Sequence, residues 1–302
     1  MLRKLSLFFF FGNFFYGICT VALSIETSVQ RGFPLNSVWY YVFLFTTTVI
    51  YYTKAYISET VSDKNNKRAI WYVENRKAVL QSQFIVYIIT VIVTFFLLKN
   101  IGLNMIVMPW YQWGFIIVFP LVALLYYGIL LPNHHLFNLR KTGWLKPFVI
   151  GFVWSGVVSI YPVMFYCISK GIHYELSFFG LVLFIKNMMF ITVLCIMFDI
   201  KDYATDYNKE LKTFVVRVGL RKTIFEILIP LSVMGFGTFL FYNFTHHFPV
   251  ERIIINTIPF ILLIIVAYSM YQRKPILYYL AIIDGLMLAK AICGIIGSTI
   301  FK

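Results

Sequence analysis

The chain has 302 residues, of which 60% are apolar and 13% charged, with a mean hydropathy of +0.81 and a formal net charge of +14. A soluble domain is about 25% charged, so this chain lacks the polar surface to fold in water and requires lipid as its solvent. The positive excess does not imply nucleic acid, because the cations sit between apolar runs, as the positive-inside bias of membrane proteins demands.

The apolar runs are about 17 to 25 residues long, which is helix length; a barrel strand needs only about 10. In chain order they predict membrane spans at 5–25, 37–57, 79–98, 113–131, 147–169, 176–198, 223–243, 252–270 and 276–300. The first run follows Arg3 and Lys4, but it is about 20 residues long and no small-residue cleavage site follows it, so it reads as a span and not a signal peptide. The expected fold is all-α, a single transmembrane domain over 1–302 with about nine helices. Cys19, Cys167, Cys195 and Cys293 are far apart, with no CxxC, and imply neither a zinc site nor a disulfide framework. Two connections, 58–78 and 199–222, are long and polar.

Lysine and arginine set the expected orientation. Nineteen of them fall at the N-terminus and in the even-numbered connections, against five on the opposite side. The crowded side is expected to be cytoplasmic, with the N-terminus inside, the C-terminus outside and both long connections on the inner face.

The segment Asp199-Ile-Lys-Asp202-Tyr-Ala-Thr-Asp206 is the most informative. Three of the chain's 12 acidic residues fall within it. Their i, i+3, i+7 spacing puts all three on one side of a helix, where like charges repel. A divalent cation relieves that repulsion. Mg²⁺ takes oxygen ligands and binds through one or two carboxylates plus substrate phosphates. Nearby Lys209, Lys212 and Arg217 are suited to hold phosphate oxygens. The competing reading is a solvated patch of Asp and Lys pairs, each worth about 0–1 kcal/mol.

The longer string Asp199-Ile-Lys-Asp202-Tyr-Ala-Thr-Asp206, continuing to Thr213, Val216 and Gly219, resembles the second aspartate motif of the UbiA superfamily of membrane prenyltransferases, DxxDxxxD followed by Thr, Val and Gly. Trp144-Leu-Lys146-Pro147, running into Ile150-Gly151 and Trp154, is similar to the start of that family's fifth helix. The resemblance implies a bundle of nine helices and transfer of a prenyl group from an isoprenoid diphosphate to a lipophilic, often aromatic, acceptor. It implies Mg²⁺ held by Asp199, Asp202 and Asp206, with Asp202 and Asp206 as the bridging pair and Asp199 in support.

The family's first motif, NxxxDxxxD, falls on Tyr52, Tyr56 and Thr60, so both of its carboxylates are absent. Lys54, Lys64 and Arg68 then offer direct contacts to diphosphate in place of one metal ion, and Lys141, Lys146, Lys209 and Lys212 complete the cations expected around it. The competing reading of 58–78 is a solvated positive-inside segment. Phe137-Asn-Leu-Arg-Lys141 lacks the hydroxyl of the family's YxxxK. Tyr166-Cys-Ile-Ser-Lys170 has the letters, but at the wrong end of its span.

Lys186, Asp284 and Lys290 lie inside predicted spans, where ionisable groups are costly. The lysines read as snorkelling or paired groups, and Asp284 as a paired or cavity residue more than a metal ligand. The alternative function is a UbiA-fold protein that has lost catalysis and binds lipid or a partner. A transporter fits less well, because the carboxylates lie at one face and no paired Gly/Pro breaks divide two halves. A phosphatidyl-alcohol transferase would need Ala-Arg after Asp284-Gly285.

Overall fold

The structure is a computed structural model that describes residues 2–57, 67–127, 142–208, 212–245, 248–272 and 274–301. Every regular element in it is helical. In chain order they are α1 (Leu2–Phe11), α2 (Phe14–Gln30), α3 (Val38–Ile57), α4 (Lys67–Glu74), α5 (Arg76–Val107), α6 (Trp110–Tyr127), α7 (Lys146–Ser155), α8 (Tyr161–Ser169), α9 (Phe178–Asn208), α10 (Phe214–Val218), α11 (Leu220–Lys222), α12 (Ile229–Thr245), α13 (Val250–Ser269), α14 (Ile276–Tyr278) and α15 (Gly285–Thr299). Single π turns at Gly156–Ile160, Thr223–Leu228 and Tyr279–Ile283 join α7 to α8, α11 to α12 and α14 to α15.

Among the described residues, six helices are long and apolar enough to cross a membrane, and a seventh forms if α1 and α2 count as one broken span. The other two expected segments are the helices α3 and α6. The apolar surface confirms the solvent. Phe84, Val91 and Phe95 of α5 are each about two-thirds exposed, which water would not tolerate over a helix of this length. At 32 residues α5 is about 48 Å long and exceeds the hydrocarbon layer of about 30 Å.

Two predicted boundaries are corrected. The first span is not continuous: it bends by 57° at Gly12–Asn13, where Asn13 takes a left-handed conformation at φ 65°. Asparagine tolerates that region better than most residues. The sixth span does not stop at 198. The helix runs on to Asn208, so the aspartate segment expected in a loop extends the membrane helix itself.

The core gathers around α9, which packs on α7 and α12, while α2 packs between α3 and α15. Leu23, Trp154, Val193, Ile196, Met197, Leu263 and Ala291 fill the centre. Gly151 allows α7 and α9 to touch. A methyl group in its place would overlap Thr192 Oγ1 and sit 2.9 Å from the Met188 carbonyl oxygen. That contact sets the start of α7 beside the end of α9, and so positions Lys146 and Asp199.

Candidate functional site

A cavity of about 530 Å³ opens between α2, α3, α6, α7, α9 and α15. Its size falls within the range of about 300–1,000 Å³ usual for small-molecule sites. The body is apolar and aromatic, lined by Phe43, Leu44, Phe119, Val153, Val157 and Ile191 among others. Charge is concentrated at Arg68, Lys146, Lys201, Asp202 and Asp284.

The break in the first span creates part of that charged rim. At Gly12–Asn13 the helix ladder is interrupted, and the Phe11 carbonyl needs new donors. Arg68, from α4, supplies one: its Nη2 donates to Phe11 O at 2.9 Å and to Asn13 Oδ1 at 2.6 Å. The Tyr72 hydroxyl donates to the same carbonyl at 2.7 Å. Burial pushes the Tyr72 phenol above its usual pKa, so the hydroxyl stays protonated and keeps donating. Arg68 Nη1 reaches the Tyr56 hydroxyl at 3.1 Å, and its guanidinium lies 4.0 Å from the centre of that ring. A buried cation is thereby fixed on the cavity wall by the break between α1 and α2 and by the end of α3.

Also on the cavity wall, Lys146, at the first position of α7, donates to Asp199 Oδ1 at 2.7 Å. The Asp199 side chain has no exposed surface, while Lys146 keeps 22%. Asp199 Oδ2 has no hydrogen-bond partner among the described residues. One helical turn on, Asp202 is 41% exposed and pairs with Lys201 at 2.9 Å. That pair sits near the surface and is worth about 0–1 kcal/mol, so it opens easily to a competing ligand.

Of the residues expected from sequence, Arg68, Lys146 and Asp202 line one cavity, and Asp199 lies behind Lys146. Lys54 and Lys212 are exposed and do not line it. Lys64, Lys141 and Lys209, and the side chain of Asp206, lie outside the described residues, as does Thr60. Tyr52 and Tyr56, at the positions of the missing first-motif residues, do line the cavity. Lys201 was not anticipated as a site residue, and Asp284 only as a cavity residue. Their signals were present: a cation inside the aspartate motif and a carboxylate inside an apolar run.

The donor set fits a hard divalent cation at Asp202. One accessible carboxylate facing a cavity leaves room for the waters and phosphate oxygens that Mg²⁺ retains. Asp199 fits less directly, because an ammonium group already neutralises it. Among the described residues no group of three or more His, Cys, Asp or Glu side chains could cage an ion unaided.

A second charged cluster lies elsewhere in the bundle. Lys290 donates to both oxygens of Glu26, at 3.0 and 2.7 Å, and Lys186 Nζ lies 3.9 Å from Glu26 Oε1. All three are buried. The two in-span lysines are thus members of a paired cluster. Lys186 is 13 residues from Asp199 along α9, about 20 Å, so this cluster is separate from the rim.

No family model matches the chain, and no curated protein matches it. Among solved structures it is similar to one described as giving structural and mechanistic insights into digeranylgeranylglyceryl phosphate synthase in membranes. The TM-score is 0.56 at 14% identity, over 98% of this chain and 99% of that one. The likeness is one of fold: the chain is an all-α membrane bundle with the fold of that synthase.

Proposed function

We propose that this membrane bundle is a UbiA-like prenyltransferase, moving a prenyl group from an isoprenoid diphosphate to a lipophilic acceptor. The observation that carries the reading is the lining of one cavity: a mostly apolar, aromatic wall that also holds Arg68, Lys146, Lys201, Asp202 and Asp284. An isoprenoid diphosphate has the same division, a greasy chain and a small polyanion. The aspartate motif and the fold shared with a synthase of a geranylgeranylated lipid support the same reading.

In this reading Arg68 and Lys146 grip the diphosphate. Arg68 presents a planar fork suited to phosphate, already oriented by Phe11, Asn13 and Tyr56. It takes up part of the task that the absent first-motif carboxylates and their metal ion would perform. Asp202 and Asp206, supported by Asp199, are the residues that would hold Mg²⁺. Bound there, it would supply stabilisation of the charge on the departing oxygen. Tyr52, Tyr56, Trp154 and Phe198 surround the reacting end, keep water from it and offer π faces to a developing carbocation. The inner membrane face is the proposed location of the rim, with the N-terminus cytoplasmic.

The test is incubation of the purified protein with labelled prenyl diphosphates of several lengths, with and without Mg²⁺. The proposal expects Mg²⁺-dependent diphosphate release that Asp202→Ala with Asp206→Ala abolishes. Release that survives the double substitution would overturn the site. Tight binding with no turnover would favour a protein that keeps the fold and the lipid but has lost the chemistry, a reading that the tyrosines at the first-motif positions also allow.

A further inference from the structure

Asp284 lines the same cavity as the rim cations Arg68 and Lys201. It follows the π turn Tyr279–Ile283 and precedes α15. Its N–H donates to the Tyr279 carbonyl five residues back at 3.2 Å, and its own carbonyl accepts from Met287 N at 3.0 Å. A widened turn of this kind changes the register of the residues that follow, and such turns recur at functional sites. Here the turn lies directly before a carboxyl group that lines the cavity.

The side chain is 2% exposed, and its Oδ2 has no hydrogen-bond partner among the described residues. None of the ion pairs among those residues includes it. Tyr16 is its neighbour. A carboxyl group inside a membrane bundle with an open acceptor is expensive unless something else completes it. The surroundings indicate what that would be. Tyr16 stacks on Tyr52 with ring centres 4.7 Å apart and planes 10° from parallel. The Tyr52 hydroxyl accepts a hydrogen bond from Trp154 Nε1. Three contacting rings, Tyr16, Tyr52 and Trp154, therefore line the cavity together with the unsatisfied carboxyl oxygen.

We propose that Asp284 anchors the hydroxyl group of the acceptor, a lipophilic molecule whose apolar body lies against Tyr16, Tyr52 and Trp154 and whose O–H donates to Asp284 Oδ2. The word acceptor rests on the prenyl-transfer reading; the hydroxyl-binding subsite does not. It assigns Asp284 to recognition and leaves Asp202 with the diphosphate.

The probe pair is 2-naphthol and 2-methoxynaphthalene, which differ in one hydrogen-bond donor. Their binding is measured by equilibrium dialysis against protein in lipid nanodiscs, with empty nanodiscs subtracted. The proposal expects the wild-type protein to bind 2-naphthol about tenfold more tightly. Asp284→Asn puts an NH₂ donor where one carboxyl oxygen accepts, so it should narrow the preference to about threefold or less. Thermal unfolding should show that the variant remains folded. Equal affinity of the wild type for the two probes overturns the proposal whether or not any variant folds, and so does an undiminished preference in Asp284→Asn. Failure of the wild type to release diphosphate from geranylgeranyl diphosphate would instead remove the prenyl-transfer reading and leave the naphthol preference standing.

Discussion

Lys146 and Asp199 are unequal partners, and the inequality gives a sharp prediction. Asp199 is wholly enclosed and has one oxygen unpartnered among the described residues, whereas Lys146 keeps 22% of its side chain exposed. Lys146→Met strands the carboxylate with no cation beside it. Breaking a buried pair costs about 3–5 kcal/mol, and the partial exposure of the lysine puts this case near the lower end, at about 3 kcal/mol. Asp199→Asn strands an ammonium that can turn to water, so its cost should resemble that of a surface pair, about 1 kcal/mol. Removing both charges, with Lys146→Met and Asp199→Leu together, should return the protein to within about 1 kcal/mol of wild type, because apolar replacements of buried pairs are often neutral. Equilibrium unfolding in mixed dodecylmaltoside and dodecyl sulfate micelles measures all three. Equal costs for the two single substitutions, or a double variant that loses the sum of both, would refute the reasoning.

The Glu26 cluster makes the opposite asymmetry. Glu26→Gln leaves Lys186 and Lys290 buried with no carboxylate and should cost about 3–5 kcal/mol, while Lys186→Met removes a surplus cation and should change stability by less than about 1 kcal/mol, both read by thermal unfolding. Gly151→Leu forces α7 away from α9; it should cost about 1–3 kcal/mol and, by shifting Lys146, weaken binding of geranylgeranyl diphosphate, which dialysis would detect. Arg68→Lys gives up the planar fork that spans Phe11 O, Asn13 Oδ1 and Tyr56. Stability should fall by about 2 kcal/mol and affinity for geranylgeranyl diphosphate about tenfold. Unchanged affinity would remove Arg68 from the proposed diphosphate clamp.

The bundle was legible because its signal is local. An apolar run of helix length needs no knowledge of its neighbours, and each of the nine expected segments is helical. The single-face spacing of Asp199, Asp202 and Asp206 likewise pointed to a helix, although hydropathy falls off at 198 and hid its continuation to Asn208. The partners of these residues were not legible. Lys146 lies 53 positions from Asp199, and Arg68 lies 55 from Asn13. No local pattern links them; packing does, through Gly151 in one case and a helix break in the other. Glu26 directly follows the first apolar run, and only folding brings it to Lys290, 264 positions away. The kink at Gly12–Asn13 had a sequence signal in its two turn-forming residues, but the surrounding apolar run masked it.

The central claim is that a prenyl chain occupies the cavity with its diphosphate at the charged rim. A prenyl diphosphate carrying a photoreactive benzophenone at the far end of the chain tests this directly, with the labelled residues identified by mass spectrometry after irradiation in nanodiscs. The account predicts labelling of cavity residues such as Thr48, Val153 and Val157, lost on competition with unmodified geranylgeranyl diphosphate. Labelling confined to lipid-facing side chains such as Phe84, Val91 and Phe95, and indifferent to the competitor, would contradict it.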